Sequence, residues 1–209
     1  MKYPRENLLE SVELCCVRGD NMLFEDLNFA IDAGDICQVH GANGAGKTSL
    51  LRLLCGLSIP ESGEVRWNGA AIDDQPDAFR SALAYIGHHN GIKGELNPKE
   101  NLESTRALMP CRDDIEPVAA LERVGLYGYE DIPCRYLSAG QKRRVAIARL
   151  LLSSAPLWIL DEPVTALDVD GVRDFQLLLE AHANAGGMVV ITSHQPLRFG
   201  SVDTRMIQL

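Results

Sequence analysis

Gly41-Ala42-Asn43-Gly44-Ala45-Gly46-Lys47-Thr48 decides the fold, because the residues on both sides of it supply the setting that its pattern needs. The stretch has the form G-x-x-x-x-G-K-[ST], a phosphate-binding loop. Before it, Asp35-Ile36-Cys37-Gln38-Val39-His40 reads as a short apolar strand; after it, Ser49-Leu50-Leu51-Arg52-Leu53-Leu54-Cys55 reads as a helix. Such a strand–loop–helix lets backbone N–H groups close around β- and γ-phosphates and points the positive end of the helix at them. Lys47 would reach the β/γ oxygens, and the Thr48 hydroxyl would bind Mg²⁺. The alternative is a glycine-rich turn with no ligand.

That alternative leaves Leu157-Trp158-Ile159-Leu160-Asp161-Glu162 unexplained. Four apolar residues followed by two acids read as a buried parallel strand whose acids emerge at its carboxyl end. Ligands in open parallel sheets lie beyond those ends. Side chains alternate along a strand, so the adjacent acids serve different purposes. Asp161 suits a Mg²⁺ shell, and Glu162 is free to polarise a water at the γ-phosphate.

Between these stretches runs Leu137-Ser138-Ala139-Gly140-Gln141, followed by Lys142-Arg143-Arg144-Val145-Ala146-Ile147-Ala148-Arg149-Leu150. Ser138 reads as an N-cap opening a helix whose free amides could hold an anion. The pentapeptide resembles the LSGGQ signature of ABC-type ATPases, with Ala139 in place of the first glycine. Further motifs follow in that family's order: Ala166-Leu167-Asp168 resembles the D-loop, and His194, after the apolar run Val189–Thr192, resembles the switch histidine. The resemblance implies a P-loop NTPase (RecA-like) α/β core with an antiparallel β edge sheet and a helical ABC subdomain. It implies ATP hydrolysis with Mg²⁺ on Thr48 and Asp161, and catalysis by Glu162 and His194. It implies nucleotide contacts from Gly41 through Ser49. It also implies an ATP-dependent homodimer, in which Ser138, Gly140, Gln141 and Asp168 face the nucleotide of the other protomer.

Two positions depart from the family pattern. His89, in Ala84-Tyr85-Ile86-Gly87-His88-His89, stands where the family has a glutamine that contacts Mg²⁺ or the attacking water; imidazole there introduces pH sensitivity. Arg18 stands where an aromatic side chain stacks on adenine, and a guanidinium plane can also stack on a base. The wording from Ala148 to Pro163 and from Thr165 to Val172, with Tyr85–His88, Gly91-Ile92-Lys93 and Thr192–Leu197, is similar to the CcmA family of cytochrome c maturation ATPases. That likeness implies a CcmB-like integral membrane partner, with CcmC and CcmD, and a peripheral place on the cytoplasmic face of the bacterial inner membrane. It implies haem export or release of a haem-loaded chaperone. No residue identifies haem; His88-His89 reads as part of the ATP site. The alternatives are the ATPase subunit of another ABC transporter, a soluble ABC ATPase of repair or translation, and a nucleotide-dependent binding module without turnover. The span from Thr48 to Leu137 is too short for a long coiled coil, there is one cassette, and Lys47 and Glu162 are both present, which argues against the last two.

Composition agrees with one soluble unit. Twenty Lys+Arg against 29 Asp+Glu give a net charge of −9, which argues against a sequence-blind nucleic-acid surface. No apolar run approaches the ~20 residues that span a bilayer, and Met1–Glu6 lacks the apolar segment of a signal peptide. The six cysteines form no C-x-x-C pair and read as small core residues in a reducing compartment.

Organisation follows from the same patterns. Leu9–Val17 and Leu27–Ile31 read as edge-sheet strands around a polar turn, and Gly63–Trp67 as a strand closed by Asn68-Gly69. Residues 1–89 and 154–209 form the expected nucleotide-binding core of a single domain, with a helical signature subdomain at 90–153. Within the latter, Pro98, Ile115–Val124 and Ala139–Leu152 mark helices. Leu157–Leu160 and Met188–Thr192 are core strands around a helix, Val172–Ala185, stopped by Gly186-Gly187. The chain closes soon after its last strand pattern, which predicts no appended regulatory domain. Ile92 and Leu96 are apolar residues in the polar loop 90–97: either they face a partner or they feed the chain's own core.

Overall fold

A computed structural model describes residues 2–194, 196–202 and 204–209; Gln195, within the stretch similar to the CcmA family, lies outside them. Two sheets organise the chain. Strands β1 (Leu8–Arg18), β2 (Asn21–Asp32), β4 (Ser62–Trp67) and β5 (Ala70–Ala71) form an antiparallel sheet in the order β2-β1-β4-β5. Strands β3 (Ile36–His40), β6 (Leu83–Ile86), β7 (Leu157–Asp161), β8 (Met188–Thr192) and β9 (Thr204–Gln208) form a parallel sheet in the order β6-β7-β8-β3-β9. Six α-helices complete the described residues: α1 (Lys47–Leu54), α2 (Pro76–Ala82), α3 (Pro98–Leu108), α4 (Pro117–Arg123), α5 (Ala139–Leu152) and α6 (Val169–Asn184).

The parallel sheet divides two cores, and strand alternation assigns its residues between them. Cys37, Val39, Leu157, Ile159, Met188 and Val190 face α1 and the antiparallel sheet, where Leu50, Leu51, Leu9, Leu14 and Trp67 are buried. Ile36, Ala84, Ile86, Trp158, Leu160, Val189 and Ile191 face the other way, into a core shared with α5 and α6. β7 and β8 are buried at every position, which is why they read as unbroken apolar runs. Helices α3, α4 and α5 pack on one another, and their inward residues Leu102, Leu121 and Val145 belong to the α5/α6 core.

Several element bounds differ from expectation for local reasons. α4 starts at Pro117 rather than Ile115, because Glu116 is extended, as residues before proline tend to be. α6 starts three residues before Val172, because the Asp168 carboxylate accepts the Gly171 N–H and caps the helix. Helix α2 and strand β9 were not expected. Phe79 is the buried residue of α2, and β9 is a largely exposed edge strand, so neither carries a clear apolar period.

The loop 90–97 is folded inward. Buried Asn101 accepts the Lys93 N–H at 2.8 Å and donates to the carbonyls of Lys93 at 3.0 Å and Leu96 at 3.3 Å. Ile92 packs against the α5/α6 core, so of its two readings the structure takes the internal one.

Candidate active site

Four parallel strands end around one cavity. β3 runs into the phosphate loop, β6 into Gly87-His88, β7 into Asp161-Glu162 and β8 into Ser193-His194. The cavity measures about 560 Å³ and is lined by Arg18, Asn21, Leu23, Asn43, Gly44, Gly46, Lys47, Thr48, Ser49, His88, Glu162 and His194.

Its floor is built for an anion. Gly46 precedes α1 at φ +101°, a left-handed conformation that L side chains avoid, and an added Cβ would lie 3.1 Å from the Leu23 side chain. No side chain caps α1, so the amides of its first turn remain free for a phosphate. Lys47 is 8 % exposed, and its ammonium donates to the carbonyls of Gly41 at 2.8 Å and Ala42 at 3.1 Å. The positive charge is thus held inside the loop.

The acids divide as alternation requires. Asp161, 2 % exposed, accepts the Thr48 hydroxyl at 2.9 Å and the Thr192 hydroxyl at 2.8 Å. Thr48 lines the cavity and Asp161 lies behind it, so their hydroxyl and carboxylate oxygens form the hard donor type that Mg²⁺ takes beside phosphate and water oxygens. Glu162 points elsewhere: its Oε1 lies 2.8 Å from Nε2 of His194. Its backbone is left-handed at φ +49°, and its N–H donates to the Thr192 hydroxyl at 2.9 Å. Glu162 and His194, thirty-two positions apart in the sequence, are therefore brought into direct contact.

The histidine pair is phased differently from expectation. His88 and His89 are both exposed, with ring centroids 5.6 Å apart, but His88 lines the cavity and His89 is not among the lining residues. The strand ends at Ile86, so the alternation that would have fixed which side chain turns inward stops before either one.

Arg18 lies in the cavity wall with Asn21 and Leu23. The signature residues do not. Ser138 caps α5, its hydroxyl accepting the Gln141 N–H at 3.1 Å while Gln141 Oε1 accepts the Ser138 N–H at 2.8 Å. Ser138 is exposed. A Cβ on Gly140 would lie 2.7 Å from the Ala166 carbonyl oxygen, so the D-loop backbone lies directly against the start of α5, whereas Ala139 is exposed and has room for its methyl. Arg144 ties the two further: its guanidinium donates to Asp168 at 2.9 Å and to the Val124 carbonyl at 2.8 Å. The Gly171 N–H, followed by Arg144, holds the Asp168 carboxyl below its ordinary range.

Sequence reasoning missed Asn21 and Leu23 of the cavity wall, Thr192 behind the two acids, and a buried arginine. Arg143, buried in α5, reaches the carbonyl of Glu162 at 3.2 Å. Its partners are backbone atoms distant in the chain, and no motif marks them.

The family described as ABC transporter matches residues 24–165. Proteins named cytochrome c biogenesis ATP-binding export protein CcmA are similar over most of the chain. That of Pasteurella multocida is 52 % identical over 191 residues, covering 91 % of this chain and 90 % of the relative. That of Dechloromonas aromatica is 48 % identical over 203 residues, covering 97 % and 100 %. Among solved structures, a putative ABC transporter ATP-binding protein from Pyrococcus furiosus superposes with a TM-score of 0.81 at 26 % identity, over 95 % of this chain and 96 % of that one. An ATP-binding subunit of an ABC transporter gives 0.79 at 26 % identity, over 90 % and 79 %. With that family matched over residues 24–165 and relatives 52 % and 48 % identical over most of its length, the chain belongs to the ABC transporter family of ATPases, in its CcmA branch.

Proposed function

We propose that the chain is the ATP-hydrolysing, energy-coupling subunit of a membrane ABC complex for c-type cytochrome biogenesis. Its work would be haem export or release of a haem-loaded chaperone. The relatives named cytochrome c biogenesis ATP-binding export protein support the role in cytochrome biogenesis. No helix among the described residues is long and apolar enough to cross a membrane, so the chain would act with integral subunits (a CcmB-like protein, with CcmC and CcmD) as a peripheral component on the cytoplasmic face of the inner membrane. Two copies would meet head to tail, with Ser138, Gly140, Gln141 and Asp168 of each facing the nucleotide of the other. The helical region 90–153 would move against the core formed by 1–89 and 154–209.

In the chemistry, the amides of the phosphate loop and Lys47 hold the β- and γ-phosphates, and Arg18 stacks on adenine. Thr48 and Asp161 would hold Mg²⁺, which supplies countercharge to the phosphate oxygens. Glu162 accepts the proton of the attacking water, and His194 orients Glu162 and meets the γ-phosphate. His88, which lines the cavity where His89 was expected, takes the place of the family's glutamine beside that water. The 2.8 Å contact between Glu162 and His194 in the same cavity as Lys47 carries this assignment. Glu162→Gln tests it. The amide keeps the shape but takes no proton, so turnover falls by about 10²–10⁴-fold while ATP binding persists and ATP-bound dimers accumulate. Steady-state hydrolysis near wild type would refute the assignment.

A further inference from the structure

Arg143 lies in the second turn of α5 and is 4 % exposed. Burying a guanidinium is costly unless its donors are used. Its donors go to backbone carbonyls: Glu162 at 3.2 Å, Gly87 at 3.4 Å and His88 at 3.5 Å. Two of these acceptors follow β6 and one follows β7, so a single side chain of the signature helix grips two strand ends of the cavity. Burial pushes its pKa down, while the nearby charges of Asp161 and Glu162 pull it back up.

The Glu162 peptide has a specific need for such a grip. A glutamate at φ +49° occupies a sparsely populated region, and residues there persist when their surroundings over-determine them. Thr192 fixes the amide side of the residue, His194 the carboxylate, and Arg143 the carbonyl. Of these three, Arg143 comes from the helix whose first turn carries Ser138. Five donors in a planar fork suit three separate carbonyls; a lysine ammonium does not span them.

We propose that Arg143 is a positioning residue for hydrolysis: it holds Glu162 in its left-handed conformation beside His88, so that displacement of the signature helix moves the hydrolytic carboxylate. This rests on the reading of Glu162 as the base. A residue that merely ties two layers together would, when replaced, weaken folding and nucleotide binding along with turnover.

The test compares Arg143→Lys and Arg143→Met in the full chain, reading MgATP affinity at equilibrium, single-turnover phosphate release and thermal midpoint. Phosphate release falls about tenfold or more in both, with MgATP Kd within about twofold of wild type. The double variant Arg143→Lys/Glu162→Gln is no slower than Glu162→Gln alone, because both changes strike the same step. Phosphate release by Arg143→Lys within twofold of wild type overturns the proposal, and so does a parallel loss of MgATP affinity. Losses that multiply in the double variant overturn it too. Should Arg143→Met fail to fold, Arg143→Lys decides alone. Failure of the underlying reading has its own signature, since Glu162→Gln would then keep turnover, and both assignments fall together.

Discussion

The two helix starts that carry the recognisable motifs are finished in opposite ways. α1 opens on left-handed Gly46 with no side-chain cap, inside the cavity that holds Lys47, Glu162 and His194. α5 opens on Ser138 with both halves of a capping box closed, on an exposed surface. Uncapped first-turn amides are an anion site in waiting. A closed capping box has spent two of its backbone donors, those of Ser138 and Gln141, and what it still offers outward is the amides of Ala139 and Gly140, the serine hydroxyl proton and the helix dipole. The first end opens into the cavity; the second opens outward. The proposed head-to-tail pairing would bring the exposed end of one copy to the cavity of the other.

The largest expected effect tests that contrast directly. Lys47→Ala removes the buried countercharge of the first end, and Ser138→Arg blocks the second. Each variant alone is inactive. Mixed in equal amounts, about half the dimers carry one copy of each and one whole site apiece, so about a quarter of wild-type ATPase activity returns. Phosphate release measured across mixing ratios, at high protein concentration or with the membrane partner present, checks this, and no recovery at any ratio would break the comparison.

Next in size is a control for the frame that both ends share. At the amino ends of the parallel strands, away from the cavity, His182 stacks on Trp158 with ring centroids 3.7 Å apart, and its Nε2 lies 3.0 Å from the Pro156 carbonyl. Burial pushes its pKa down to about 4. The folded chain therefore keeps it neutral, while the unfolded chain takes up a proton near pH 6.5. That stability is fully present above pH 6.5 and is lost as pH falls towards 4. It amounts to about 3 kcal/mol, discounted for coupling to other groups. Urea unfolding midpoints across that range should slope downward in wild type and lie flatter in His182→Gln. An equal slope in both would remove His182 as the cause.

Smaller, and specific to the second end, is the pair Gly140→Ala and Ala139→Gly. The new methyl at 140 meets the Ala166 carbonyl oxygen, an overpacking that costs about 1–3 kcal/mol. Thermal unfolding would show the cost, with ATPase activity falling alongside. Ala139→Gly restores the usual signature at an exposed position, and its turnover stays within about twofold of wild type, as surface changes away from special features do. The reverse order of effects would place position 139, not 140, against the D-loop.

The smallest effect sharpens the first end. His88→Ala lowers turnover by about three- to tenfold, the scale of one lost neutral hydrogen bond, while His89→Ala stays within about twofold. Opposite ranking would return the site to His89.

Where a motif carries its own geometry, the sequence was sufficient. Gly41–Thr48 needs no distant partner to be read, and the apolar runs of β7 and β8 announce their burial on both faces. Asp161 and Glu162 were separable because alternation holds to the end of a strand. That logic gave out at His88 and His89, two and three residues past Ile86. Arg143 was illegible for another reason: its acceptors are carbonyls 56, 55 and 19 positions away, and backbone atoms leave no trace in composition. β9 escaped because an edge strand with little burial has no apolar period to show.

One earlier feature bears on which cation the site admits. Asp161 spends one carboxylate oxygen on Thr192 and turns the other toward Thr48. An ion arriving there finds a single carboxylate oxygen rather than a bidentate pair, on a residue fixed from behind. Mg²⁺ asks for few protein ligands and keeps its waters, whereas Ca²⁺ prefers six to eight oxygens at longer range. By fixing Asp161 from behind, Thr192 would leave a divalent ion one carboxylate oxygen to bind, a demand that Mg²⁺ meets more readily than Ca²⁺.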